Sequence, residues 1–96
     1  MERHLLKAEE IDTFLKEQPE WCFSVDSLTR TYQFPDFVSA FAFMSAVATH
    51  CDCLNHHPDW SNVYGVVKVR LTTHDRGGVT SLDTGLAQIM EDLANG

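Results

Sequence analysis

Two adjacent histidines stand against a proline and near a tryptophan in NHHPDWSNVY, Asn55 to Tyr64. An imidazole changes protonation near neutral pH and is also a common metal ligand. His56 and His57 therefore admit proton transfer, metal binding or local packing. A third histidine, His74, closes a long alternating segment further along the chain. Junctions between elements often carry function on a rigid scaffold, and three imidazoles at junctions could converge on one cleft. Pro58 fixes its own φ and biases His57 toward an extended backbone. Successive extended residues point to opposite sides, so His56 and His57 need not share a task. Trp60 can wall such a cleft or fill the core.

The run HCDCLNHH supplies a rival chemistry, since His50, Cys51, Cys53, His56 and His57 are all capable ligands. Structural zinc sites usually space their cysteines two to four residues apart and add a second ligand pair at a distance. Cys51 and Cys53 are separated by one residue at a helix end, where such side chains diverge. No metal is expected. Nothing marks any thiol as an activated nucleophile. In TSLD, Thr80 followed by Asp83 resembles a capping box with Asp in place of Glu or Gln, so Asp83 is expected to support structure and fix the loop carrying His74. His4 and His50 have no comparable context.

These residues must be positioned by a small set of elements. Ala8, Ile11 and Leu15 recur at helical spacing and Phe14 widens the stripe, which predicts a helix over 7–17 ending before Pro19. Trp21, Phe23 and Val25 alternate as in a strand, and Leu28, Tyr32 and Phe34 share a face of the next. A turn near Asp26–Ser27 would make them a hairpin. Pro35 and Asp36 open a helix over about 36–53, with Asp36 in the favourable first turn. Its Phe37, Phe41, Met44, Ala48 and Cys51 form one stripe, while Phe43 and Val47 lie on another side. So broad an apolar surface suits a helix covered by its own sheet and by a second subunit, or one central to its own core. From Asn62 to His74, Val63, Val67, Val69 and Leu71 share one face and Asn62, Tyr64, Lys68, Arg70, Thr72 and His74 the other. Gly77–Gly78 allow a sharp turn. Leu82, Leu86, Ile89 and Leu93 then predict a final helix. The expected fold is α+β: a four-stranded antiparallel sheet with helices on one face, in the order α-β-β-α-β-β-α.

With 96 residues the chain has room for one core, so 1–96 is read as a single domain. A 44% hydrophobic content fits a globular chain. Seven basic against 14 acidic residues give a net charge of −7, which argues against nucleic-acid binding through phosphates. No apolar run approaches the roughly 20 residues that span a bilayer. The start, MERHLLKAEE, is charged too early for a signal peptide. A cytoplasmic protein with free thiols at Cys22, Cys51 and Cys53 is expected.

The spacing Asp52-x3-His56-His57-Pro58-x-Trp60-x3-Tyr64-x9-His74-x8-Asp83 resembles the signature of the pterin-4a-carbinolamine dehydratases, also known as dimerisation cofactors of a homeodomain transcription factor. YQFPDFVSAFAFM is similar to the family's aromatic strand-and-helix segment and VYGVVKVRLTTH to its central strand, so the likeness spans nearly the whole chain. Two positions depart from the pattern. Lys7 replaces a Ser or Thr helix cap, and Asp52 stands where Glu is frequent, with a shorter reach.

The resemblance implies dehydration of 4a-hydroxytetrahydrobiopterin to quinonoid dihydropterin, which recycles the cofactor of aromatic amino-acid hydroxylases. By that resemblance His56, His57 and His74 are the catalytic set: His56 and His74 act as acid and base, and His57 chiefly binds and orients the pterin while assisting proton transfer. Asp52, Thr72 and Thr73 become candidates for hydrogen bonds to the pterin or to the histidines, with Thr72 favoured because alternation puts it on the His74 face. Pro58 and Trp60 shape the pocket. No cofactor is implied, because the pterin is the substrate. The resemblance further implies a homo-tetramer or homodimer through the long helix and a sheet edge, with Phe37, Phe41, Met44 and Val47 at the interface. It also allows a second role, docking the helical segment of a transcription factor, with a nuclear location in that case. No direct nucleic-acid or membrane contact is expected.

Overall fold

The computed structural model describes residues 4–95; Met1–Arg3 of the charged N-terminal stretch lie outside that span. Its elements are α1 (Ala8–Glu17), β1 (Cys22–Ser24), β2 (Ser27–Gln33), α2 (Phe37–Leu54), β3 (Asp59–Val63), β4 (Val66–Leu71), a 3-10 turn (His74–Arg76) and α3 (Ser81–Asn95). All strand pairs are antiparallel and the sheet order is β1-β2-β4-β3. This is the expected α+β order.

α1 buries Ile11 and Phe14, three apart on one face. Lys7 offers no acceptor at its N-terminus; instead the Glu10 carboxylate accepts the Lys7 N–H at 2.8 Å. The β1–β2 turn falls at Val25–Asp26, one residue earlier than expected, with Val25 in the left-handed region at φ 59°. Trp21, Phe23 and Val25 therefore do not share a buried face. Trp21 is 2% exposed, whereas Phe23 is 41% and Val25 91% exposed. β1 is a three-residue edge strand, and only the chain entering it is covered.

The core face of the sheet carries Leu28 and Tyr32 of β2 and Val67, Val69 and Leu71 of β4, all buried. Residues of opposite parity, among them Thr31, Ser61 and Lys68, are exposed on the other face. The strand expected from Asn62 to His74 is a hairpin and a turn. Tyr64 adopts φ 51°, and the Asn62 side-chain amide donates to the carbonyls of Tyr64 and Val66 at 3.0 Å each. Gly65 sits where a Cβ would lie 2.2 Å from the Phe34 carbonyl oxygen, and its own carbonyl accepts the Phe34 N–H at 2.7 Å. Val63 is consequently exposed, and His74 belongs to the 3-10 turn instead of a strand.

α2 is capped by Asp36, whose carboxylate accepts the Ser39 N–H at 2.8 Å; that bond holds the Asp36 carboxyl below its ordinary range. The stripe facing the core is Ala40, Phe43, Val47 and Cys51, so the buried side runs through Phe43 and Val47 and takes only Cys51 from the longer expected stripe. Phe37, Val38 and Phe41 are exposed by 48%, 75% and 52%. α2, at 18 residues and mean hydropathy 1.4, is long and apolar enough by length and composition alone to cross a membrane, while its buried residues pack into the core of this chain. Apart from Asp52 near its end it carries no Asp, Glu, Lys or Arg.

α3 presents Asp83, Ala87 and Glu91 on one buried stripe beside Leu82, Leu86 and Met90. Glu91 Oε2 accepts from Trp21 Nε1 and Arg30 Nε, each at 3.2 Å, and from the Tyr32 hydroxyl. The Arg30 guanidinium lies 4.2 Å above the Tyr32 ring. Burial, and then the neighbouring Glu91 carboxylate, push the Tyr32 phenol well above its ordinary range. This cluster ties the start of β1 and the middle of β2 to the second half of α3.

The contact between Gly65 and Phe34 cannot be relieved by a side-chain movement, because its partner is backbone. Gly65→Ala is expected to cost about 1–3 kcal/mol through overpacking. In urea denaturation the midpoint should fall with an unchanged slope; an unaltered midpoint would show that the hairpin tip is not locked to the strand before α2.

Candidate active site

α2 stops at Asn55, which adopts a left-handed conformation with φ 52° and ψ 44°. The Asn55 N–H reaches the Asp52 carbonyl at 3.2 Å, and the His56 N–H reaches the Cys51 carbonyl at 3.1 Å. The chain thereby reverses immediately after the helix. This folds His56 back toward the start of α3, where its Nε2 lies 2.5 Å from Asp83 Oδ1. His56 is 8% exposed and Asp83 fully buried.

The second oxygen of Asp83 is also engaged. Oδ2 accepts the Thr80 N–H at 2.9 Å and the Thr73 hydroxyl at 2.8 Å. Thr73 Oγ1 lies 2.8 Å from Thr80 Oγ1, which accepts the Leu82 N–H at 3.2 Å. The expected capping arm from Asp83 to Thr80 is therefore present, and the same carboxylate holds a histidine. Thr73 is bridged to Gly78, its N–H meeting the Gly78 carbonyl at 2.9 Å, and Gly77 closes the turn at φ 72°. His74, exposed, heads that turn directly after Thr73. The loop carrying His74 is thus tethered to the carboxylate that binds His56.

His57 points elsewhere, as its extended backbone before Pro58 allows. Its Nε2 lies 3.1 Å from Asp52 Oδ1, and both side chains are largely exposed. Pro58 and Trp60 are partly buried, and Trp60 packs against the core beside its strand partner Val69. The two threonines already have protein partners. Thr72 donates to the Asp26 carbonyl at 2.7 Å and Thr73 to Asp83, so both hydroxyls serve the protein, and both residues are buried. A groove of about 610 Å³ runs over the sheet past Thr29, Ser61, Lys68 and Trp60, but none of the three histidines lines it.

Two contributors had no role in the sequence reading. Asn55 makes the reversal; an Asn just past a helix is a recognised stop signal. Asp26 accepts from Ser27 Oγ at 2.7 Å and Arg70 at 3.1 Å, and so anchors the β1–β2 turn against the end of β4. Cys51 is buried in the core and Cys53 exposed, so the two thiols diverge as their spacing requires. Burial first, then the Asp52 charge, pushes the Cys51 thiol up and away from nucleophilic use.

The arrangement offers one buried imidazole held by a carboxylate and two imidazoles open to solvent. His56→Ala would leave Asp83 buried without its ring partner, and a loss of about 2–4 kcal/mol is expected. Asp52→Ala removes only a solvated partner and should leave the unfolding midpoint unchanged. Equal midpoints for both variants in urea denaturation would contradict the burial difference.

Residues 4–93 match the family model described as Pterin 4 alpha carbinolamine dehydratase. A Prochlorococcus marinus (strain NATL2A) protein named "Putative pterin-4-alpha-carbinolamine dehydratase" is 40% identical over 91 residues, covering 95% of this chain and 96% of the relative. A Synechococcus (strain WH7803) protein of the same name is 45% identical over 89 residues, covering 93% and 96%. The crystal structure of a transcriptional coactivator/pterin dehydratase from Brucella melitensis superposes with a TM-score of 0.91 at 36% identity, covering 95% of this chain and 99% of that one. By the family match over residues 4–93 and by these relatives, the chain belongs to the pterin-4-alpha-carbinolamine dehydratase family.

Proposed function

We propose that the chain is a single-domain cytoplasmic enzyme that dehydrates 4a-hydroxytetrahydrobiopterin to quinonoid dihydropterin, so that the tetrahydropterin cofactor of aromatic amino-acid hydroxylases can be regenerated. The observation that carries this reading is the set His56, His57 and His74, present at the family's spacing on elements gathered around Asp83. In the reaction the C4a–O bond breaks and the hydroxyl leaves as water after taking a proton from an imidazolium. The N5 proton passes to a neutral imidazole, and the C4a–N5 double bond forms. Hydroxide is a poor leaving group, and a positioned acid and base typically contribute about 10²–10⁴-fold.

In this reading His56 and His74 exchange the protons, and His57, steadied by Asp52, binds and orients the pterin. Pro58 and Trp60 shape the surroundings. Thr72 and Thr73 act by holding the loop and Asp26, since their hydroxyls are already committed. No metal or prosthetic group enters the scheme. The ultraviolet time course of freshly generated 4a-hydroxytetrahydropterin tests it. Dehydration faster than the spontaneous reaction, falling by about 10²-fold or more in His74→Ala, is expected; no acceleration by folded wild-type protein would sink the enzyme.

A second reading concerns association. Phe37, Val38 and Phe41 on α2 and Val63 and Tyr64 on the β3–β4 tip are large apolar side chains left exposed, and the Gly65–Phe34 bond sets that tip beside the helix entry. Surfaces of this kind mark interaction sites. We infer a homo-oligomer, dimer or tetramer, joined through α2 and a sheet edge. Phe37 and Phe41, flanked by half-buried Met44, would supply the contact, whereas Val47 is fully buried in the subunit core. Binding of a helical partner segment is the alternative use of the same face. Sedimentation velocity should give a mass well above the 10.9 kDa of one chain, reduced by Phe41→Asp. A wild-type monomer at micromolar concentration would leave only the partner-docking use.

A further inference from the structure

A neutral imidazole carries one proton, and the partner of one ring nitrogen decides which atom is left to react. His56 Nε2 faces Asp83 Oδ1 at 2.5 Å. The other oxygen, Oδ2, already receives the Thr80 N–H and the Thr73 hydroxyl. Thr80 Oγ1 accepts the Leu82 N–H, so its own proton is free for Thr73 Oγ1, and the Thr73 proton goes to Asp83. Every hydrogen in this chain of bonds then points toward the carboxylate, and Asp83 accepts from three sides. His56 must donate through Nε2. His56 Nδ1 has no bond to another group among the described residues. Because no buried side-chain nitrogen or oxygen among those residues lacks a partner, Nδ1 is not sealed in the core.

We propose that Asp83 is a positioning residue for the dehydratase reaction: it fixes the Nε2–H tautomer of His56 and leaves Nδ1 as the atom through which that ring exchanges its proton. The assignment rests on the dehydratase reading above. It gives the histidine a use despite its low exposure, because only one edge of the ring needs to reach the substrate. The neutral ring offers the Nδ1 lone pair to the departing N5 proton. Once protonated, it offers the Nδ1 proton to the leaving hydroxyl, while the Asp83 carboxylate faces the cationic ring from the far side. Through Thr73 the same carboxylate holds the backbone residue that precedes His74, so one group sets the positions of both proton-exchanging histidines.

Asp83→Asn separates this role from a merely structural one. The Thr80 N–H cannot reverse its direction, so the amide oxygen introduced by the substitution must stay on that side. The amide NH₂ then faces His56 Nε2 and converts it into an acceptor. The neutral ring is forced into the Nδ1–H form, which has no lone pair to offer on the open side. The same logic governs the buried carboxylate of a serine-protease triad, where Asp→Asn installs the wrong tautomer.

The experiment records side-chain histidine 15N correlations of ligand-free protein at a pH where the ring is neutral, together with dehydration kinetics. In wild type, His56 should show protonated Nε2 and unprotonated Nδ1. D83N should reverse the two, with kcat reduced about ten- to a hundredfold and KM nearly unchanged. A wild-type His56 protonated at Nδ1 overturns the assignment, even if D83N fails to fold. So does a folded D83N with a reversed tautomer and an unchanged kcat. Active wild type with the wrong tautomer would overturn this assignment alone. The expected tautomer in an inactive wild type would instead overturn the dehydratase reading, and the catalytic use of Nδ1 with it.

Discussion

A carboxylate removed from water must find donors for both of its oxygens or lose its charge, and Asp83 meets that demand at the meeting point of three chain segments. The end of α2 sends His56, the end of β4 sends Thr73, and the first turn of α3 sends the Thr80 N–H. Each of these segments needs a sharp change of direction to arrive. Asn55 turns the chain after α2, Gly77 turns it after β4, and Thr80 opens α3. The fold around the histidines can thus be understood as the set of backbone reversals that bring donors to one buried charge.

Around that point the imidazoles occupy different environments for a physical reason. The ring folded back from the helix end is covered by α3, while its neighbour, extended before Pro58, is left to solvent with Asp52. Burial gives His56 a fixed orientation and a defined hydrogen-bond partner. Exposure leaves His57 and His74 open to solvent. Rigid support for one ring and open access for the other two therefore coexist within a chain of the dehydratase family.

The family was legible because rare side chains at fixed intervals stand out even in a single sequence. Their partnerships were less so. Asp83 could be recognised as a cap from the nearby Thr80, a local relation; its bond to His56 depends on α3 packing across the end of α2, which spacing does not reveal. α2 itself was found almost to the residue, but with apolar side chains on nearly every side, the core-facing stripe could not be chosen from periodicity. The turn at Tyr64–Gly65 escaped because alternation continues through it and neither an Asn-Gly nor an Asp-Gly pair marks it. Only the close approach of Phe34 shows why the glycine is there. The edge hairpin was legible, but not how little of it is covered: Phe23 lies on a three-residue edge strand and Val25 in the turn beyond it, so both stay exposed.

α3 carries its two buried carboxylates, Asp83 and Glu91, eight residues apart on the stripe that also holds Ala87. At 1.5 Å per residue they sit about 12 Å apart along the axis. Each has its own donors: His56, Thr73 and Thr80 for one, Trp21, Arg30 and Tyr32 for the other. Leucine and methionine contacts alone would tolerate a small rotation or slide of the helix, since one apolar surface can substitute for another. Two charges that must each meet a separate set of donors do not tolerate it. The pair acts as two indexing pins in a shaft, setting both the depth and the angle at which α3 is seated.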